Sequence, residues 1–128
     1  METTITCGGK EIKLKASALV PRLYRYKFRR DMIQDMRKLI SAYNKAKSLP
    51  EDATEEQREE AQFTVLDLEL FENVAYIMAK HASPEEVPSD PGEWLDSFPG
   101  VFSIYEVLPA IVQLWHAGAA TTSVSKKN

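Results

Sequence analysis

Two histidines and a single cysteine are all that the 128 residues offer to metal or thiol chemistry. Cys7 has no second cysteine to pair with, and no CxxC or Cys/His set surrounds it, which fits a reducing compartment. His81 and His116 stand outside the HExxH and HxxxH spacings that bring two imidazoles to one metal. Both are placed near helix ends, where a histidine complements the helix dipole. Long apolar runs are missing too, since no stretch approaches the roughly 20 residues that span a bilayer. The opening segment METTITCGGKEIKLKAS lacks the basic and apolar regions of a secretory signal and the Arg-rich character of a transit peptide. The Gly8-Gly9 pair is not followed by the Lys-Ser/Thr helix of a phosphate loop. These absences argue against an enzyme, a cofactor, a metal or a membrane partner, and for a chain that stays in the cytoplasm and acts by binding.

What is present is a sharp division of charge. Residues 1–50 hold twelve Lys/Arg against four Asp/Glu, and residues 51–110 hold two against fifteen, so local balances of +8 and −13 lie behind a net charge of −3. The basic half contains RLYRYKFRR, residues 22–30, with five basic side chains and three aromatics. That composition suits a phosphate backbone, with Tyr26 as a stacking surface. The acidic counterweight that follows weakens the nucleic-acid reading and favours ion pairing within the fold or between subunits. Arginine is the residue preferred for buried or interfacial pairs. Arg25, Arg29, Arg30, Asp31 and Asp35 form the expected ion-pairing or assembly face, with Glu69 and Glu72 as further partners.

Periodicity predicts a mainly α fold: one domain over residues 1–117, about four helices with an amino-terminal β-hairpin at about 4–15, and a disordered tail over 118–128. Strands Thr4–Thr6 and Glu11–Lys15 flank the Gly8-Gly9 turn. A helix is expected from Arg22 to about Lys47, with Tyr24, Phe28, Met32, Met36, Leu39, Ile40 and Tyr43 on its core stripe. A second runs from the Thr54 N-cap to about His81, with Phe63, Leu66, Leu70, Phe71, Val74, Ile77 and Met78 inward. The proline-rich SPEEVPSDPG turns the chain, GEWLDSF gives a short helix, and a last helix spans Ser103 to about His116 with Pro109 kinking or restarting it. Ile33, Val65, Leu68 and Tyr76 fall off the core stripes and are free to face a partner helix.

The order of several blocks carries a resemblance. The hairpin GGKEIKLKAS, then RLYRYKFRRDMIQDM with Tyr24, Arg25, Phe28, Arg30, Asp31 and Asp35, then FENVAYIMAK, EWLDSF and IYEVLP, resembles the tail assembly chaperones of long-tailed siphophages and their Gram-positive prophages from about Ile5 to Trp115. A glycine often stands in that family where Arg29 stands here. The resemblance implies a non-enzymatic protein of the bacterial host cytoplasm. It would bind the long tape measure protein, keep it soluble during tail morphogenesis and be absent from the mature virion. It also implies a longer product, made by programmed frameshifting, that recruits tail tube protein. Lys126-Lys127-Asn128 can be encoded by an A-rich slippery run. Self-assembly is a further expectation. Exposed apolar positions would then form the client surface, namely Ile33, Val65, Leu68 and Tyr76, with Trp94 and Trp115 if they reach the surface. A small nucleic-acid-binding or regulatory helical module using Arg22–Arg30 is the alternative.

Overall fold

A computed structural model describes the backbone of residues 1–127 and the side-chain surroundings of residues 1–117. The expected tail at 118–128, with Lys126 to Asn128, lies outside those described surroundings. Strands β1 (Glu2–Cys7) and β2 (Lys10–Lys15) precede six helices: α1 (Val20–Phe28), α2 (Met32–Lys47), α3 (Glu55–Glu60), α4 (Val65–Ala82), α5 (Pro91–Asp96) and α6 (Ile104–Lys127). The mainly α class and the hairpin stand. The helix number is higher than the four expected, because two long helices are each broken.

β1 and β2 pair antiparallel with Ile5 opposite Ile12 and Thr3 opposite Leu14. The period of two sends Ile12 and Leu14 inward and leaves Glu11 and Lys13 in solvent. Both turn glycines have positive φ, 60° at Gly8 and 79° at Gly9, the conformation a two-residue hairpin turn demands. A Cβ at Gly8 would lie 2.9 Å from the Val101 carbonyl oxygen. That space is used: the Gly100 N–H donates to the Gly8 carbonyl at 2.7 Å, tying the turn to the segment before α6.

The expected helix from Arg22 to Lys47 breaks at Arg29, whose φ of 58° is left-handed. Its N–H donates to the Arg25 carbonyl and closes α1, and Asp31 then caps α2 by accepting the Ile33 N–H at 2.9 Å. The second expected helix breaks likewise. Thr54 and Gln57 form a capping box on α3, and Thr64 and Asp67 form another on α4. Each second cap supplies orphan N–H groups with acceptors, which lowers the cost of restarting the helix there.

α4 is the central element, packing against β2, α1, α2, α5 and α6. Its residues Val74 to Ala79 are all buried, so it has no solvent face at mid-length. Tyr24 of α1, Met32, Met36 and Leu39 of α2, Trp94 of α5, and Val107, Leu108 and Ile111 of α6 complete the core. Each fully buried side chain of this size contributes about 1.5–3 kcal/mol. α6 continues through Pro109, neither ending nor restarting there.

A run of aromatic rings ties the layers together. Phe28 meets Tyr76 edge-on at 6.3 Å, Tyr76 meets Trp94 at 5.8 Å, and Trp94 meets Phe98 at 5.1 Å and Phe102 at 5.2 Å. The proline-rich turn is held to this run through its carbonyls. Tyr76 donates its hydroxyl to Pro88, Lys80 donates to Pro84 and Val87, and Lys27 to Ser89. The turn therefore has a fixed path despite having no regular structure.

Candidate interaction surfaces

The corner between α1 and α2 gathers the expected ion-pairing residues, but in unequal roles. Arg30 and Asp35 pair bidentately: Nε donates to Oδ2 at 2.8 Å and an Nη to Oδ1 at 3.0 Å. Tyr24 donates its hydroxyl to the same Oδ2 at 2.7 Å. Asp35, expected at the margin of the stripe, is 2% exposed. Burial alone would raise its pKa, but the hydrogen bonds from Arg30 and Tyr24 and the Arg30 charge outweigh that and hold it below the usual carboxylate range. The Tyr24 hydroxyl is pushed well up, first by burial and then by the carboxylate that accepts its proton.

Arg30–Asp35 is the one ion pair within 4 Å among the described residues, so Glu69 and Glu72 do not supply the direct partners expected of them. Glu72 is instead raised above its usual pKa by burial and by the neighbouring Glu69 charge. Arg25 and Arg29 stay exposed and line a depression of about 670 Å3 with Tyr26, Arg30, Asp31 and Ile33. Of the three arginines there, Arg30 is committed to Asp35.

Arg29 is the only described non-glycine residue with positive φ. Arg29→Gly is accordingly expected to raise stability by about 1 kcal/mol, since it removes the Cβ penalty of the left-handed conformation. Urea midpoints of the two proteins measure this. An unchanged or lower midpoint would mean that the guanidinium has a stabilising contact of its own.

The apolar candidates divide in the same way. Tyr76 and Trp94 are core residues, 2% and 1% exposed, and cannot present a client surface. Tyr76 lies off the expected α4 stripe, yet α1 and α5 cover that second face. Trp115 is half-buried against the core. Val65 and Leu68, by contrast, are exposed on the first turns of α4, Val65 by 84%, and Ile33 is exposed at the basic corner. Leu66, expected in the core, is exposed beside them, because burial of α4 begins only at Leu70. Tyr105, 70% exposed at the start of α6, was not anticipated. It packs on Phe63 at 5.5 Å, and with Tyr43, Ala46, Ile104 and Pro109 the two rings wall a groove of about 280 Å3. The last turns of α2, Phe63 just before α4 and the start of α6 thus share this groove.

The titratable groups elsewhere are dispersed. His81 ends α4 as expected, its Nε2 2.9 Å from Ser17 Oγ, and burial with the nearby Lys15 charge lowers its pKa. His116 is exposed. Cys7 is buried, which raises its thiol pKa. Among the described residues no three His, Cys, Asp or Glu side chains come together as a metal site, and no helix is long and apolar enough to cross a membrane. Set against family models, curated proteins and solved structures, the chain matches none.

Proposed function

We propose that this chain is a tail assembly chaperone of a siphophage or prophage, which binds the tape measure protein in the host cytoplasm and keeps it soluble until the tail is built. The observations that carry the reading are the exposed apolar side chains Val65, Leu66 and Leu68 at the start of α4 and the groove walled by Phe63 and Tyr105. Large apolar side chains at successive turns of a helix, next to an aromatic-walled groove, are what an amphipathic client helix requires for its i, i+3 and i+4 anchors. The left-handed Arg29 at the family's frequent glycine position adds support from the backbone. No chemical step is involved, and the protein is absent from the finished virion. A longer product made by frameshifting would recruit tail tube protein.

Co-expression with the tape measure protein encoded beside it tests the proposal. The client is expected to move from the pellet to the soluble fraction and to co-purify with this chain. A client equally insoluble with and without it would end the reading. Arg25, Arg29 and Tyr26 around one depression favour the second reading, a nucleic-acid-binding module. That reading requires a gel shift that weakens steeply as salt rises.

A further inference from the structure

The outer line of α4 changes character within two turns. At about 100° per residue, Val65, Leu68, Glu69 and Glu72 fall on one side of the helix, and the buried Leu70, Phe71 and Val74 on the other. Val65, Leu68 and Glu69 are exposed, and Glu72 is half-buried. The line therefore begins apolar and ends acidic. Glu69 and Glu72, three residues apart, are neighbours of like charge on the helix surface, an arrangement that destabilises a helix. Its trace is the raised pKa of Glu72, caused first by burial and then by the Glu69 charge.

Among the described residues no cation comes within 4 Å of either carboxylate. Arg30, whose charge interacts with Glu69, is held by two hydrogen bonds to Asp35. Residues 51–110 contain only Arg58 and Lys80 as cations. Arg58 donates to the Glu51 and Ala53 carbonyls, and Lys80 to those of Pro84 and Val87. Arg37, Lys38 and Lys45 of α2 share a depression with Asp67, which lies nearly opposite Val65 around α4, so they border the other side of the helix. A half-buried carboxylate beside a like charge, with apolar side chains one turn before it, makes a surface short of one cation.

We infer, resting on the client site proposed above, that the outer face of α4 selects a cationic amphipathic helix, whose apolar side chains cover Val65 and Leu68 and whose Arg or Lys, one turn along, reaches Glu69 and Glu72. Val65 and Leu68 supply the apolar contact. The carboxylate pair supplies the choice, because an acidic helix on the same anchors would bring a third like charge to it. Arginine suits the pair best, since its planar fork can meet two carboxylates where a lysine is a single point charge. Its arrival also offsets the repulsion between Glu69 and Glu72, so one side chain gives an attraction and relieves a strain.

Two fluorescently labelled peptides of about 18 residues, long enough to be helical, test this. One carries a Leu stripe bordered by Arg at each turn, and the other has Glu at every Arg position. By fluorescence anisotropy, wild type is expected to bind the Arg peptide at least about tenfold tighter than the Glu peptide at about 50 mM salt, with the preference shrinking to about twofold at about 500 mM. Glu69→Gln with Glu72→Gln should abolish the preference, with an unchanged circular dichroism spectrum and a urea midpoint no lower than wild type, since it removes a like-charge pair. Glu59→Gln with Glu60→Gln removes the same charge from α3 and should leave the preference in place. Val65→Ser with Leu68→Ser should weaken the Arg peptide by about tenfold. Equal affinity for the two peptides, no binding of either, a preference kept without Glu69 and Glu72, or one lost equally in the α3 variant would each overturn the inference. Client solubility on co-expression reads separately. A soluble client without a peptide preference ends this inference and leaves the chaperone reading standing, and a preference for the Arg peptide with an insoluble client does the reverse.

Discussion

Trp94→Ala is expected to lower folding stability by about 3–5 kcal/mol, the range for deleting a large aromatic from a packed core. The ring is 1% exposed and in contact with Tyr76, Phe98 and Phe102, so truncation leaves a cavity walled by three aromatics that cannot all move into it. Rings in such clusters add about 0.5–1.5 kcal/mol each beyond their area. With total stability of ordinary domains near 5–15 kcal/mol, a large share of the variant would be unfolded in mild denaturant. Trp94→Phe, which keeps an aromatic in the cluster, should lose clearly less. Denaturant titration of the three proteins gives the order. A Trp94→Ala protein as stable as wild type but poor at client binding would contradict the core role of this ring.

Asp35→Ala is expected to cost about 2–4 kcal/mol. It strips the buried Tyr24 hydroxyl of its acceptor and takes the carboxylate from Arg30. The figure sits below that of a fully buried pair because the Arg30 side chain is 40% exposed and recovers water. Asp35→Asn can still accept from Tyr24 and should cost less. The sign with pH follows from the depressed carboxyl pKa of the folded state. The ion pair contributes in full above the unfolded carboxyl value of about 3.9, and the contribution is lost as pH falls through the lower folded value. Urea midpoints of wild type and Asp35→Asn should therefore converge below about pH 4. A gap that stays constant from pH 7 to pH 3 would show that the carboxylate charge contributes nothing.

Period alone was enough to find the hairpin and the inward stripe of Tyr24, Met32, Met36 and Leu39, because those side chains meet a core whatever the exact helix ends. The two helix breaks were also written in the chain. Asp31 stands three residues before Gln34 and Thr64 three before Asp67, both helix-start spacings, but the unbroken apolar pattern across them hid the restart. Other features were not local. A wheel places Tyr76 outside α4 and cannot know that α1 and α5 cover that side. It places Leu66 inside and cannot know that the first turns of α4 project past the core. Arg30 and Asp35 pair within the face expected of them, but joining Tyr24 to the same carboxylate needs the break at Arg29, which one continuous helix does not provide.

The proposed client site is the exposed start of α4. Val65→Asp with Leu68→Asp changes two exposed side chains and leaves the core intact, so the variant should fold as wild type does. Side-by-side co-expression with the tape measure protein, reading the soluble fraction of the client, is the direct measurement. A soluble client is expected with wild type, and a loss of about tenfold or more with the variant, the scale for removing two apolar anchors worth about 1.4 kcal/mol or more together. A variant that is folded and solubilises the client as well as wild type would contradict it.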